Sequence, residues 1–216
     1  MKVEVNCLRI GMLAPDFVAN STMGPIKMAR YQGMWVVFFS HPGDFTPVCT
    51  TEFLGFAALY QKFRALNTYL LGLSIDSNSS HLGWANSIYE MTGVHIPFPI
   101  VADRTGEVAR MYGMLSPDAS TEATVRSTFI IDPTQRIRAI LAYPMTTGRN
   151  IPEILRTVEA LQFTDETGLL TPANWQPGDP GILPPPQDYQ AMQQRMMSPP
   201  EAVVCKSWYL CYQEEA

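Results

Sequence analysis

Short apolar runs and longer amphipathic stretches alternate through the first 165 or so residues, and this alternation limits the fold more than any other feature. Residues 34–39 are apolar, with β-branched and aromatic side chains, as in a buried strand. From 50 to 67, Phe53, Phe56, Ala57, Tyr60, Phe63 and Leu66 recur at helical spacing. A second buried strand is expected over 69–75. A helix is expected over 79–91, with Ser79 or Ser80 as its N-cap. Residues 97–101 read as a short extended piece and 107–112 as a short helix. Two strands over 127–132 and 137–143 flank Pro133-Thr134-Gln135, a turn that suits a hairpin. A last helix is expected over 151–161, with Asn150 as cap and Pro152 tolerated in the first turn.

This order implies an α/β domain over 1–165, with a central mixed sheet and helices on both faces. The βαβ units supply parallel strands and the hairpin an antiparallel pair. The thioredoxin-like fold is a named member of the class with that order. Residues 166–216 differ: they hold eight of the eighteen prolines, including Pro184-Pro185-Pro186, and composition of that kind favours extended, poorly helical chain. Two basic residues there face six acidic ones, so most of the net charge of −5 lies in this segment. Trp175, Trp208, Tyr209, Leu210 and Tyr212 argue against simple disorder. The segment is expected to be an extended C-terminal arm that packs on its own domain or on a neighbouring subunit.

An acidic balance favours neither nucleic acid nor an anionic membrane surface as partner. The densest apolar run, 35–39, is too short to span a bilayer, and the first residues lack the apolar core of a signal peptide, so a cytoplasmic protein is expected. The four cysteines, Cys7, Cys49, Cys205 and Cys211, match no zinc-ligand spacing, and no metal is expected.

Residues 40–52, Ser-His-Pro-Gly-Asp-Phe-Thr-Pro-Val-Cys-Thr-Thr-Glu, join the first strand to the first long helix. Strand-to-helix junctions are favoured catalytic positions in α/β sheets. Cys49 falls at the helix start, where unpaired backbone N–H groups and the positive dipole end favour a thiolate, the nucleophilic form. Pro42 and Pro47 are expected to forbid an early helix and to stiffen the loop. Thr46, three residues earlier, can set a hydroxyl beside the sulfur, ready to donate to or accept from a bound substrate.

Pro42-x-x-x-Thr46-x-x-Cys49 resembles the active-site signature of the peroxiredoxin family. The longer run 45–52 is similar to the branch of the 1-Cys enzymes and their archaeal-type relatives. Ala14-Pro15-Asp16-Phe17 resembles the family's N-terminal segment, and Arg126, just before 127–132, matches its active-site arginine. The resemblance implies a thiol peroxidase acting on hydrogen peroxide and small organic hydroperoxides, recycled by a thioredoxin-like donor, with no cofactor. Cys49 would be the peroxidatic thiol and Arg126 would hold the thiolate and polarise the peroxide. Thr46 would hydrogen-bond the peroxide, Pro42 would shield the sulfenic acid, and Glu52 would orient Arg126. Arg149 looks like a second arginine near the pocket. His41 matches a histidine that branch members carry beside the cysteine, with a structural role standing beside a catalytic one. Asp44 reads as a turn residue.

Strict 1-Cys enzymes need no further thiol, whereas this chain has Cys205 and Cys211, like the archaeal-type members with a paired-cysteine tail. That resemblance implies a resolving thiol supplied by the partner subunit, with Cys211 favoured and Cys205 second. A Cys205–Cys211 disulfide formed after exchange is a further arrangement, and buried apolar filler is the plain alternative. It also implies at least a homodimer, and relatives commonly form a ring-shaped decamer. Cys7 is expected to be non-catalytic. Where some relatives carry a lipase-type serine, this chain has Gln32-Gly33-Met34-Trp35-Val36, so no phospholipase activity is expected. Two other readings compete: a thiol–disulfide exchange enzyme, which would be expected to show C-x-x-C, and a redox sensor or oligomeric chaperone switched by Cys49.

Overall fold

A computed structural model describes residues 8–116, 118–120, 122–198 and 202–213. Cys7 lies outside the described residues. The chain divides into two compact units, one up to Ile151 and one from Pro152 onward.

The first unit is built on a five-stranded sheet. Its strands are β3 (Trp35–Ser40), β4 (Thr68–Ser74), β5 (Ile100–Ala102), β6 (Arg126–Ile131) and β7 (Ile137–Tyr143), in the order β5-β4-β3-β6-β7. A small pair, β1 (Val18–Ala19) and β2 (Ile26–Lys27), precedes them. Strands β3, β4 and β5 run parallel, and β6 and β7 are antiparallel to their neighbours. The helices are α1 (Pro47–Ala65), α2 (Asn78–Thr92) and α3 (Glu107–Met111). This is the mixed, helix-flanked α/β sheet expected from the alternation.

Every residue of β3 is buried, and the period of two sends alternate side chains to opposite faces. Val36 and Phe38 join one core cluster with Phe17, Val108 and Tyr112. Phe39 meets the other face, where its ring lies 5.6 Å from Phe53 and 4.2 Å from Phe56 of α1. A continuous apolar run in the sequence therefore reflects a strand covered on both sides.

Two local details depart from the sequence reading, and a third adds to it. Helix α1 starts at Pro47 rather than at Thr50, because a proline at the first helical position has no N–H to leave unpaired and its φ already suits a helix. The N-cap of α2 is Ser77, whose hydroxyl accepts from Ser80 N, rather than Ser79 or Ser80. Gly93 ends α2 at φ 72°, a left-handed cap that a side chain would strain.

The second unit begins in helix α4 (Ile151–Thr167), which runs beyond the expected 161. Strands β8 (Gly181–Ile182), β9 (Val203–Ser207) and β10 (Leu210–Gln213) form a sheet in the order β8-β10-β9. Ala160, Phe163, Leu169 and Trp175 form its own small core. The expectation of poorly helical chain is corrected by α5 (Tyr189–Met197), which starts three residues after Pro186 and is capped by Asp188, whose carboxylate accepts from Ala191 N. Between the proline clusters the sequence is free to coil, and the cap supplies the start. Among the described residues, no helix is long and apolar enough to cross a membrane.

Phe38 stacks on Phe17 at 5.4 Å and meets Tyr112 edge-on at 4.8 Å in the middle of the sheet. Phe38→Ala is expected to lower unfolding stability by about 3–5 kcal/mol, measured by denaturant titration.

Candidate active site

Strand β3 hands over to α1 through residues 41–46. Within this loop Phe45 has φ 54°, a left-handed backbone that a bulky residue holds only under tension from its neighbours. Those neighbours are anchored: Asp44 N donates to Asp76 Oδ2 at 2.9 Å, and Thr46 Oγ1 donates to Gly43 O at 2.8 Å. Thr46 is the N-cap residue of α1, yet its hydroxyl makes no capping bond to the helix. With its hydrogen given to Gly43, that oxygen is left with acceptor capacity only. Pro42 is half-buried in the same loop.

Cys49 is the third helical residue of α1 and is fully buried. It is the one free cysteine among the described residues. Its helical position leaves Glu52 one turn later on the same face. Arg126 opens β6, the antiparallel neighbour of β3, and so reaches the end of the sheet where β3 stops. Arg126 Nη1 lies 3.3 Å from Cys49 Sγ and donates to Glu52 Oε2 at 2.9 Å. Its Nε and Nη2 both donate to Met145 O, at 3.0 and 2.6 Å. A planar guanidinium with fixed donors can make all these bonds at once, which an ammonium could not.

Arg149 completes the group. Its backbone N and its Nε each donate to Glu52 Oε1 at 2.9 Å, and Nη2 donates to Oε2 at 2.7 Å. Nη1 donates to Ser127 O and Thr128 Oγ1, both at 3.2 Å. The guanidinium also lies over the Phe39 ring, 5.0 Å from its centroid. Burial by itself would raise the Glu52 carboxyl. The hydrogen bonds from Arg149, the Arg149 charge and the Arg126 charge outweigh it and hold Glu52 below its ordinary value.

Beside this group lies a second one that the sequence reading only half anticipated. His41 and His81 are both fully buried. His41 Nε2 lies 3.0 Å from Asp44 Oδ1, and His81 Nδ1 lies 2.8 Å from Asp44 Oδ2. His81 Nε2 lies 3.2 Å from Val101 O. Burial would raise the Asp44 carboxyl, but the hydrogen bonds from His41 and His81 hold it well below the usual carboxylate range. Burial holds His41 below its ordinary value, against the opposing pull of Asp44. Trp84 stacks on His41 with centroids 5.1 Å apart and donates from Nε1 to Thr50 Oγ1 at 3.2 Å. His81 and Trp84 were not singled out from the sequence. The available signal was spacing: His81, Trp84 and Ile88 form the buried stripe of α2, and a histidine in such a stripe needs polar partners.

Cys49, Glu52, Arg126 and Arg149 thus form one hydrogen-bonded group, and His41 belongs to the neighbouring one. Cys205 and Cys211 face each other across β9 and β10 and are joined as a disulfide in the second unit. Cys211 is buried and Cys205 half-buried.

Comparison with known proteins bears on both units. The model of the AhpC/TSA family matches residues 10–140, and that of the C-terminal domain of 1-Cys peroxiredoxin matches 160–198. Peroxiredoxin 2 of Caldanaerobacter subterraneus subsp. tengcongensis is 54% identical, over 96% of this chain and 94% of its own. Peroxiredoxin 2 of Thermoplasma acidophilum is 52% identical, over 93% and 98%. A yeast mitochondrial 1-Cys peroxiredoxin superposes with a TM-score of 0.85 at 41% identity, covering 96% of this chain and 100% of that one.

Glu52→Gln would leave two buried guanidiniums without their counter-charge, and a loss of about 3–5 kcal/mol is expected. The unfolded chain titrates Glu52 near 4.5 and the folded chain lower. The wild-type advantage should therefore be full above about pH 4.5 and shrink as pH falls through the folded value, read from denaturation curves across the acid range.

Proposed function

The chain belongs to the AhpC/TSA family of peroxiredoxins, and from that premise we propose a reaction cycle centred on Cys49. Peroxiredoxins are peroxidases, and this one reduces peroxides through a cysteine sulfenic acid. The observation that carries the assignment of Cys49 is the Arg126 guanidinium 3.3 Å from its sulfur, in the first turn of a helix.

In the proposed first half-reaction the Cys49 thiolate attacks one oxygen of hydrogen peroxide or a small organic hydroperoxide. An S–O bond forms and the O–O bond breaks. The departing oxygen takes a proton and leaves as water or alcohol, and Cys49 becomes a sulfenic acid. Arg126 holds the thiolate and stabilises the charge that moves onto the peroxide oxygens. Thr46 Oγ1 accepts a hydrogen bond from the peroxide O–H, the role left to it by its donation to Gly43. Pro42 shields the sulfenic acid, while Glu52 and Arg149 orient Arg126.

In the second half-reaction the Cys211 thiolate of a partner subunit attacks the Cys49 sulfur, forming a mixed disulfide and releasing water. Cys205 then attacks Cys211, which frees Cys49 and leaves the Cys205–Cys211 disulfide. A thioredoxin-like dithiol reduces that disulfide and closes the cycle. Support for this order comes from the register that sets Cys205 opposite Cys211. The yeast relative resolves its thiol through glutathione and thioredoxin systems. The cycle needs at least a homodimer; a ring-shaped decamer and a cytoplasmic site of action, where such donors work, complete the reading.

Cys49→Ser should abolish peroxide consumption in a coupled assay with thioredoxin, and full activity would sink the reading. An enzyme turns over repeatedly there, whereas a sensor would oxidise once and stop. Arg126→Ala should slow single-turnover oxidation by about 10²-fold, followed by stopped flow. Cys205→Ser should trap a Cys49–Cys211 link between chains on a non-reducing gel after one equivalent of peroxide. Its absence would remove Cys211 from the cycle.

A further inference from the structure

The hydrogen-bond chemistry around His81 fixes more than its position. Val101 O, which faces Nε2, is a carbonyl and can only accept. Asp44, which faces Nδ1, is ionised, and a carboxylate also can only accept. Both imidazole nitrogens must then carry hydrogen. A neutral imidazole has one N–H, so His81 is a cation, and Asp44 is its buried counter-charge.

Asp44 also constrains His41. Its Oδ1 accepts from His41 Nε2–H at 3.0 Å, which leaves Nδ1 as the bare nitrogen of the neutral ring. That Nδ1 is buried and has no hydrogen-bond partner. A second proton there would create an unpaired buried cation close to the His81 cation and to Arg149. The arrangement thus selects one tautomer of His41. It also fastens the loop: Asp44 is gripped through its side chain by His41 and His81 and through its N–H by Asp76. The next residues are Phe45, at φ 54°, and Thr46, the N-cap of the helix that carries Cys49.

We propose that His81 is a buried imidazolium and a positioning residue for peroxide reduction, holding Asp44 and, through it, the Nε2–H form of His41 and the 42–46 loop. It touches neither the sulfur nor the peroxide in this role. The pair replaces what a metal ion would do at the same three side chains, whose ligand-type atoms all lie within 4.8 Å of one another. Protons satisfy that geometry with the contacts present, since all three short separations within the group have hydrogen-bond length.

The inference rests on the peroxidase reading of Cys49, so its test has one arm independent of activity. Nitrogen-15 NMR of the histidines in the wild-type protein at pH 7 should show His81 protonated at both nitrogens and His41 protonated at Nε2 alone. A bare nitrogen on His81 would overturn the proposal, as would a stoichiometric transition metal lost in His81→Leu. The second arm is kinetic. His81→Leu should lower the second-order rate of Cys49 oxidation by about tenfold or more. His81→Asn, which keeps an N–H donor near the Nδ1 place, should recover part of that loss. A folded His81→Leu protein that reacts within about twofold of wild type would also overturn it. If the wild-type Cys49 itself fails to react with peroxide, the peroxidase reading falls, and the NMR arm still reports on His81 alone.

Discussion

The carboxylate of Glu52, clamped between two buried guanidiniums, is the interaction on which the first unit's site depends. A single buried arginine would face a large desolvation cost, and two of them side by side would repel. Glu52 removes both problems by accepting from Arg126 and from three donors of Arg149. The carboxylate cancels one of the two positive charges. The remaining charge belongs to a guanidinium whose Nη1 lies against Cys49 Sγ, a sulfur buried from solvent and able to carry the compensating negative charge. Gln in place of Glu would preserve the shape and lose this balance.

The sheet makes that clamp possible. Helix α1 presents Cys49 and Glu52 on one face, but Arg126 is more than seventy residues away in sequence. It arrives because β6 inserts antiparallel between β3 and β7, so that the start of β6 lies at the end of β3. Met145, just past β7, supplies the carbonyl that fixes the other edge of the same guanidinium. Aromatic packing stiffens the floor: Phe39 lies under Arg149 and against Phe53 and Phe56. The site is therefore carried by helix and strand rather than by loop alone, and only Thr46 and its neighbours depend on the 41–46 turn.

Much of this was legible in the sequence, for reasons that differ from residue to residue. Strand β3 announced itself because both its faces are buried, and α1 because its phenylalanines recur at helical spacing. Cys49, Thr46 and Arg126 stood out through a dense local motif and a recognisable strand entry. His81 did not, since its meaning depends on Asp44, thirty-seven residues earlier, and on a carbonyl of β5. Spacing alone makes it one more residue in the α2 stripe. Asp44 read as a turn residue for the same reason: nothing in the local sequence shows which histidines the fold brings to it. The nine-residue helix of the C-terminal segment was hidden by composition, because prolines restrict only their own neighbourhood and Asp188 opens a helix in the gap between them.

The two thiol sites also differ in how geometry sets their chemistry. Cys49 sits in a group of charges whose partners come from three separate stretches of chain. Cys205 and Cys211 are only six residues apart and need nothing but the β9–β10 register to meet. A hairpin that holds two sulfurs opposite each other makes attack of one on a mixed disulfide at the other an intramolecular step, at high effective concentration. In the proposed cycle that advantage matters after resolution rather than before it. The partner's Cys49 is released quickly, and the oxidising equivalents end in the hairpin, where a thioredoxin-like donor meets a half-buried Cys205 instead of a fully buried catalytic thiol. Burial of Cys49 suits a small peroxide, and in the proposed cycle Cys205, the less buried sulfur of the hairpin, is the one a larger reductant would reach.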